Sequence, residues 1–218
     1  MIPLAIPNLT GNEKKYLDNC IDTTFVSSVG KYVTRFEEMV AEATGSDGAV
    51  ATSSGTTGIH VALTAVGVKY GDYVIIPTFT FIASANAVRH CGADPWLMDI
   101  NRSTWCLDPE LVKDEIEKNC EKRDDGLYHK ENGKRVAALM PVYTLGNTPD
   151  MKAFRQIADE YDIPLIADAA CAIGAKYNGQ DFGPLADLSV LSFNGNKTIT
   201  CGGGGSIVGN NAVLLKHI

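Results

Sequence analysis

The chain has 218 residues, 45% of them hydrophobic and 21% charged, with a formal net charge of −7. This is the composition of a globular protein able to bury a sizeable core, and its acidic balance argues against a nucleic-acid surface. A phosphorylated small molecule stays open, because local amides and hydroxyls hold a phosphate, not global charge.

In chain order, Thr10 and Glu13 have the spacing of a capping box. They open a first helix through Tyr16, Leu17, Cys20 and Ile21. A second helix carries Val33, Phe36, Met39, Val40 and Ala43 on one face and ends at Gly45. Ala49-Val50-Ala51 reads as a short buried strand. It runs into Thr52-Ser53-Ser54-Gly55-Thr56-Thr57 and then a helix ending near Gly67. Tyr73 to Ile76 is a strand stopped by Pro77, and Pro95 to Ile100 is another. Asp108-Pro109 opens a helix in the N-cap and N1 positions. Arg135 to Val142 is a strand, and Thr148-Pro149 opens the next helix. Further strands follow at Pro164 to Ala167, Leu188 to Phe193 and Ser206 to Val208. This alternation predicts an α/β fold, with a mostly parallel sheet covered on both faces. The chain reaches Ile218 just after a helix has begun, so it reads as a piece of a longer protein.

The six cysteines, Cys20, Cys91, Cys106, Cys120, Cys171 and Cys201, include no C-x-x-C pair, which argues against a zinc ribbon. No apolar signal core follows the N-terminus and no 18-residue apolar run occurs. The expectation is a reduced, cytosolic protein with no membrane span and no metal centre.

Four segments carry chemistry. Lys197 lies in Ser192-Phe193-Asn194-Gly195-Asn196-Lys197-Thr198, just past a strand and close to Gly202 to Gly205. A lysine in a loop is ordinarily a solvated surface group. Here small polar residues and glycines surround it and permit close approach of a ligand to backbone. A phosphate-binding P-loop requires G-x-x-x-x-G-K-[ST], and Asn196 between Gly195 and Lys197 breaks that pattern. Asp168 follows Pro164-Leu165-Ile166-Ala167, at the carboxyl end of a core strand, the edge where open α/β sheets bind ligands. It suits a helix cap, a metal, a lysine partner, or the pyridine nitrogen of pyridoxal 5′-phosphate (PLP), which a carboxylate keeps protonated so that the ring draws electrons from a carbanion. Ser54-Gly55-Thr56-Thr57-Gly58 is a strand-to-helix junction with free amides and hydroxyls, suited to a phosphate and equally to a simple turn. Phe81, in Pro77-Thr78-Phe79-Thr80-Phe81-Ile82-Ala83-Ser84, a second strand-to-helix junction, is either core or a ring that stacks on an aromatic cofactor.

In order and spacing, these segments resemble the DegT/DnrJ/EryC1/StrS family of PLP-dependent nucleotide-sugar aminotransferases. The likeness runs from Phe25-Val26-Ser27-Ser28-Val29-Gly30 through Pro141-Val142-Tyr143 and Ile166-Ala167-Asp168-Ala169-Ala170 to Lys197. It implies a type I PLP-dependent transferase large domain, with a mostly parallel seven-stranded sheet. Residues 1–45 would form a helical segment packed on a cofactor domain spanning 46–218, and a smaller C-terminal domain would lie outside this chain. It implies Lys197 as Schiff-base lysine and general acid/base, Asp168 as partner of the pyridinium nitrogen and Phe81 as the stacked ring. Gly55, Thr56, Thr57 and Ser192 would form the phosphate cradle, with Asn194 near the cofactor. Cys171 stands where the family commonly has Gln, His or Glu near the PLP 3′-oxygen, and a thiol is a weak hydrogen-bond partner. Tyr143 replaces a common His. Cys201 and Gly202 stand where an acidic residue is common.

The implied partners are glutamate, a nucleotide-sugar and a second copy of the chain, the active sites lying at a homodimer interface. Glutamate would leave its amino group on the cofactor, as pyridoxamine phosphate (PMP), for transfer to a keto-sugar in a ping-pong cycle. The departures suggest a subgroup acting on UDP-4-keto-6-deoxy-N-acetylhexosamines for bacterial surface sugars. Two alternatives stand beside this. One is a PMP-dependent sugar dehydratase, although such relatives carry His where this chain has Lys197. The other is a truncated, non-catalytic relative that acts as a binding partner.

Overall fold

The computed structural model describes residues 2 and 6–218. Two helices come first, α1 (Glu13–Asp22) and α2 (Lys31–Thr44). The expected box of Thr10 and Glu13 does not form. Asn12 caps α1 without a side-chain bond, and the Thr10 hydroxyl donates to Asn8 Oδ1 at 2.8 Å. Asn8 offers Thr10 a local acceptor that competes with a cap. The expected apolar residues Leu17 and Ile21 of α1 are exposed. On α2, Val40 is buried and Phe36 packs on the core, while Met39 is exposed. Gly45 ends α2 with a left-handed φ of 65°, which glycine adopts without a Cβ clash.

The chain then alternates: β1 (Gly48–Thr52), α3 (Gly55–Ala65), β2 (Tyr73–Pro77), α4 (Ile82–His90), β3 (Asp94–Met98) and α5 (Pro109–Asn119). Asp108 caps α5 by accepting from the amides of Glu110 and Leu111. An antiparallel hairpin absent from the sequence reading follows, β4 (Cys120–Arg123) and β5 (Gly126–His129). After it come β6 (Arg135–Leu139), α6 (Met151–Tyr161), β7 (Ile166–Asp168), the short pair β8 (Lys176–Tyr177) and β9 (Gln180–Asp181), then β10 (Leu188–Ser192), β11 (Gly205–Gly209) and α7 (Ala212–His217). The cap of α6 is Asp150, accepting from the Ala153 amide, and not Thr148-Pro149. A carboxylate facing the first-turn amides displaces the cap by two residues.

The strands form one ladder in the order β1-β11-β10-β7 and another in the order β3-β2-β6-β5-β4. Parallel bridges Leu139–Leu165 and Val142–Asp168 join them along β6 and β7. Pairing is parallel for β2 with β3 and β6, and for β7 with β10. It is antiparallel for β11 with both β1 and β10.

The sheet is buried on both sides, and the strand period of two shows how. Ile75, Leu139, Leu165, Ala167, Leu191 and Val208 pack with α2, α5 and α6 through Val40, Val112, Ile116, Phe154 and Ile157. Their strand neighbours Val74, Ile76, Met140, Ile166, Val190 and Ile207 pack with α3 and α4 through Ile59, Leu63, Ala87 and Val88. Two apolar layers therefore clamp the strands, and the loops at the strands' carboxyl ends are left to form a site. No helix among the described residues is long and apolar enough to cross a membrane.

Candidate active site

Four loops meet at that carboxyl edge: those after β1, β2, β7 and β10. Asp168 closes β7. It is 4% exposed and accepts a hydrogen bond on each oxygen, from Ser84 Oγ to Oδ2 at 2.6 Å and from the Ala170 amide to Oδ1 at 3.1 Å. Burial pushes its carboxyl above the usual carboxylate range, while the bonds from Ser84 and Ala170 and the charge of Lys197 pull it back down. A carboxylate has about four lone-pair sites. Two are taken here, and the raised affinity for protons means that a cation at this buried oxygen pair would be stabilised.

Lys197 sits in the β10–β11 connection. The Phe193 amide donates to the Gly204 carbonyl and the Cys201 amide to the Phe193 carbonyl, which closes the base of the loop. Inside it, the Lys197 amide donates to the Asn194 carbonyl at 2.9 Å, a tight turn that fixes the lysine's Cα. Lys197 is partly buried as a residue, and its ε-amine makes an exposed contact 3.2 Å from Cys171 Sγ. Cys171 is three residues beyond Asp168, so this contact brings the amine to the loop that carries the carboxylate. Asn194 itself is exposed, with Nδ2 donating to Asn196 Oδ1. Tyr143 meets this edge only through backbone, its amide donating to the Asp168 carbonyl at 2.9 Å. Its ring points into the core against Phe182 with the phenol unpartnered, and burial raises its pKa.

The β1–α3 junction is a formed cap. Ser54 Oγ accepts from the Thr57 amide, and Thr57 Oγ1 accepts from the Ser54 amide. The Thr57 hydroxyl is thus held inside the cap. This leaves the first-turn amides of Gly55 and Thr56 as donors with no recorded acceptor among the described residues. Gly55 is buried where α3 crosses the end of β10, and a Cβ there would lie 2.9 Å from Ser192 Cβ. Glycine therefore lets the helix N-terminus approach Ser192. Gly55→Ala is expected to destabilise the fold by about 1–3 kcal/mol through overpacking and to weaken phosphate-ester binding, measurable by denaturant titration and ligand titration.

Phe81 is the N-cap of α4 and is 77% exposed, its ring facing solvent at the mouth of the site. Phe79, by contrast, packs edge-on against Trp105 with centroids 5.3 Å apart. The residue that sequence reasoning missed is Ser84. It is fully buried one turn into α4 and bonds Asp168 from 84 positions away.

The chain is 40% identical over 215 residues to the GDP-perosamine synthase of Vibrio cholerae, which covers 99% of this chain and 54% of that protein. Its structure is similar to that of 3-amino-5-hydroxybenzoic acid synthase, with a TM-score of 0.85 and 31% identity over 100% of this chain and 52% of that one. It is also similar to NtdA of Bacillus subtilis with bound cofactor PMP, with a TM-score of 0.80 and 31% identity over 100% of this chain and 48% of that one. The chain spans about half the length of the curated relatives it matches. The fold they share is a two-faced α/β sheet, and in this chain an amine and a buried carboxylate lie at one strand edge. The chain belongs to the DegT/DnrJ/EryC1/StrS aminotransferase family, whose model matches residues 7–218.

Proposed function

We propose that this chain is the cofactor-binding part of an aminotransferase that moves an amino group from glutamate to a nucleotide-linked keto-sugar. The observation that carries this reading is the pairing of Lys197 Nζ, 3.2 Å from Cys171 Sγ, with the buried Asp168 carboxylate three residues before that cysteine. The residues fit PLP. Asp168 offers a buried, incompletely saturated carboxylate to a pyridinium N–H. Gly55 and Thr56 offer free amides to a phosphate, with Thr57 setting the cap and Ser192 packed beside it. Phe81 offers an open ring face, and Lys197 offers its amine for a Schiff base.

When bound, PLP supplies the carrier for the amino group and an electron sink. The chain's own residues do the rest. Asp168 would hold the proton on the pyridine nitrogen. Lys197 Nζ would take and return the proton at the carbon bearing the transferred nitrogen. Cys171 lies beside that amine, and Asn194 shapes the turn that presents it. We read the described residues up to 45 as a helical segment packed on a cofactor domain of residues 46–218, its two ladders acting as one mixed sheet with a parallel centre. Exposed Leu17, Ile21, Val26 and Val29 suit burial against a second copy in a homodimer.

A GDP-linked keto-sugar is favoured as acceptor over the UDP-linked 4-keto-6-deoxy-N-acetylhexosamine expected from the sequence, because three relatives are named GDP-perosamine synthase. Incubating the full-length protein with PLP, glutamate and a panel of GDP- and UDP-linked keto-sugars tests this. Amino-sugar formation matched by 2-oxoglutarate is expected. Dehydrated sugar without glutamate consumption would favour the dehydratase reading, and no turnover with any acceptor would favour a non-catalytic relative.

A further inference from the structure

Asp168 does not stand alone at the base of the site. Ser84 Oγ is 2.6 Å from its Oδ2, and Thr80 Oγ1 is 2.7 Å from Ser84 Oγ. An ionised carboxylate only accepts, so the single Ser84 proton points to Asp168. Ser84 Oγ must then accept from the Thr80 hydroxyl, and both protons have one direction. We propose that Ser84, oriented by Thr80, is a positioning residue that keeps the Asp168 carboxyl ionised and aimed along the strand edge.

The placement follows from the local fold. Phe81 caps α4, and the Ser84 amide donates to the Phe81 carbonyl at 3.1 Å, so the first turn of the helix aims Ser84 inward. Positive charge density at a helix N-terminus favours the anionic form of the carboxylate. The relay also spans the site: Thr80 adjoins Phe81 at the mouth, and Asp168 closes the floor. A hydroxyl inside such a buried cluster is costly unless bonded, and both of these are. The groups acting on Asp168 come from α4 (Ser84), its own loop (the Ala170 amide) and the β10–β11 loop (Lys197). Of these, Ser84 alone gives a side-chain hydrogen bond.

This inference rests on the cofactor reading for its catalytic consequence but not for its first test. In the cofactor-free full chain, the Asp168 carboxyl is followed against pH by 13C NMR with Cγ-labelled aspartate, Asp168→Asn identifying the signal. Ser84→Ala is expected to raise the titration midpoint, Thr80→Val to raise it less, and Ser84→Thr to restore it. A midpoint unchanged in Ser84→Ala with the fold intact would overturn the proposal, as would failure of the threonine to rescue. If Ser84→Ala does not fold, Thr80→Val decides by the same criterion. In the second arm, Ser84→Ala is expected to weaken PLP binding about tenfold or more, the scale of a hydrogen bond to a charged group, again with rescue by Ser84→Thr. If the wild-type chain binds no PLP, the cofactor reading fails while the NMR result still decides the relay.

Discussion

Lys197→Ala is expected to lower amino transfer by roughly 10²–10⁴-fold from loss of general acid–base catalysis alone. Loss of the covalent hold on the cofactor adds to that. Stability should hardly change, within about 0.5 kcal/mol, as for surface substitutions away from packed features. The amine's side-chain hydrogen bond is to the exposed Cys171 thiol, so no core group loses a hydrogen-bond partner, and its charge is the smallest of the influences on Asp168. Lys197→Arg keeps the charge but offers no nucleophilic amine at neutral pH, so it should behave like the alanine variant. Steady-state kinetics and thermal melts of the three proteins side by side check this. A variant that transfers amine at the wild-type rate would remove Lys197 from the mechanism.

Asp168→Asn is expected to move two quantities in opposite directions. With cofactor, it replaces a buried ion pair by a neutral contact. Leaving one member of such a pair uncompensated costs about 3–5 kcal/mol, so PLP affinity should fall by roughly 10²–10⁴-fold. Without cofactor, the substitution should stabilise the chain at neutral pH. The Asp168 carboxyl titrates higher in the folded chain than in the unfolded one, because burial outweighs its hydrogen bonds. Between those two pH values the folded form binds more protons, so stability falls as pH rises through the window. Above the folded value, wild type bears the full cost of a buried charge. Asparagine escapes it while still accepting from the Ala170 amide. Denaturant unfolding over a pH series that starts below the unfolded carboxyl's value should show the pH-dependent loss in wild type and not in Asp168→Asn. An Asn variant less stable than wild type at neutral pH in the absence of cofactor would contradict this electrostatic account.

Much of the site could be read from the sequence because each part marks a strand end. Pro164-Leu165-Ile166-Ala167 announces a buried strand, so Asp168 had to emerge at its carboxyl edge, and Ser192 and Lys197 follow another such run. What could not be read depends on long-range geometry. Ser84 lies in a run of small residues on α4, and nothing in that run says that its hydroxyl faces Asp168. The Thr57 hydroxyl belongs to a polar cluster whose composition suits a phosphate, yet the reciprocal bond with Ser54 claims it for the helix cap. The direction of β11 follows from the connection over residues 193–204, which contains no helix. A parallel crossover generally needs one, and that cue was available. The β4–β5 hairpin escaped because Glu121, Lys122 and Arg123 are charged and exposed, the colouring of a loop. The turn between its strands is Asp124-Asp125, and Gly126 opens β5 opposite Arg123. Thr10 and Glu13 had the right spacing for a box and the wrong position, since the helix starts at Glu13.

In the proposed mechanism one particular amine, Lys197 Nζ, would hold the cofactor. The direct measurement is to incubate the full-length protein with PLP, reduce it with borohydride, digest it and map the adduct by mass spectrometry. A pyridoxyl phosphate adduct on the peptide carrying Lys197, absent from Lys197→Ala, is the predicted result. An adduct confined to another lysine, or none on wild-type protein that has bound PLP, would contradict the account.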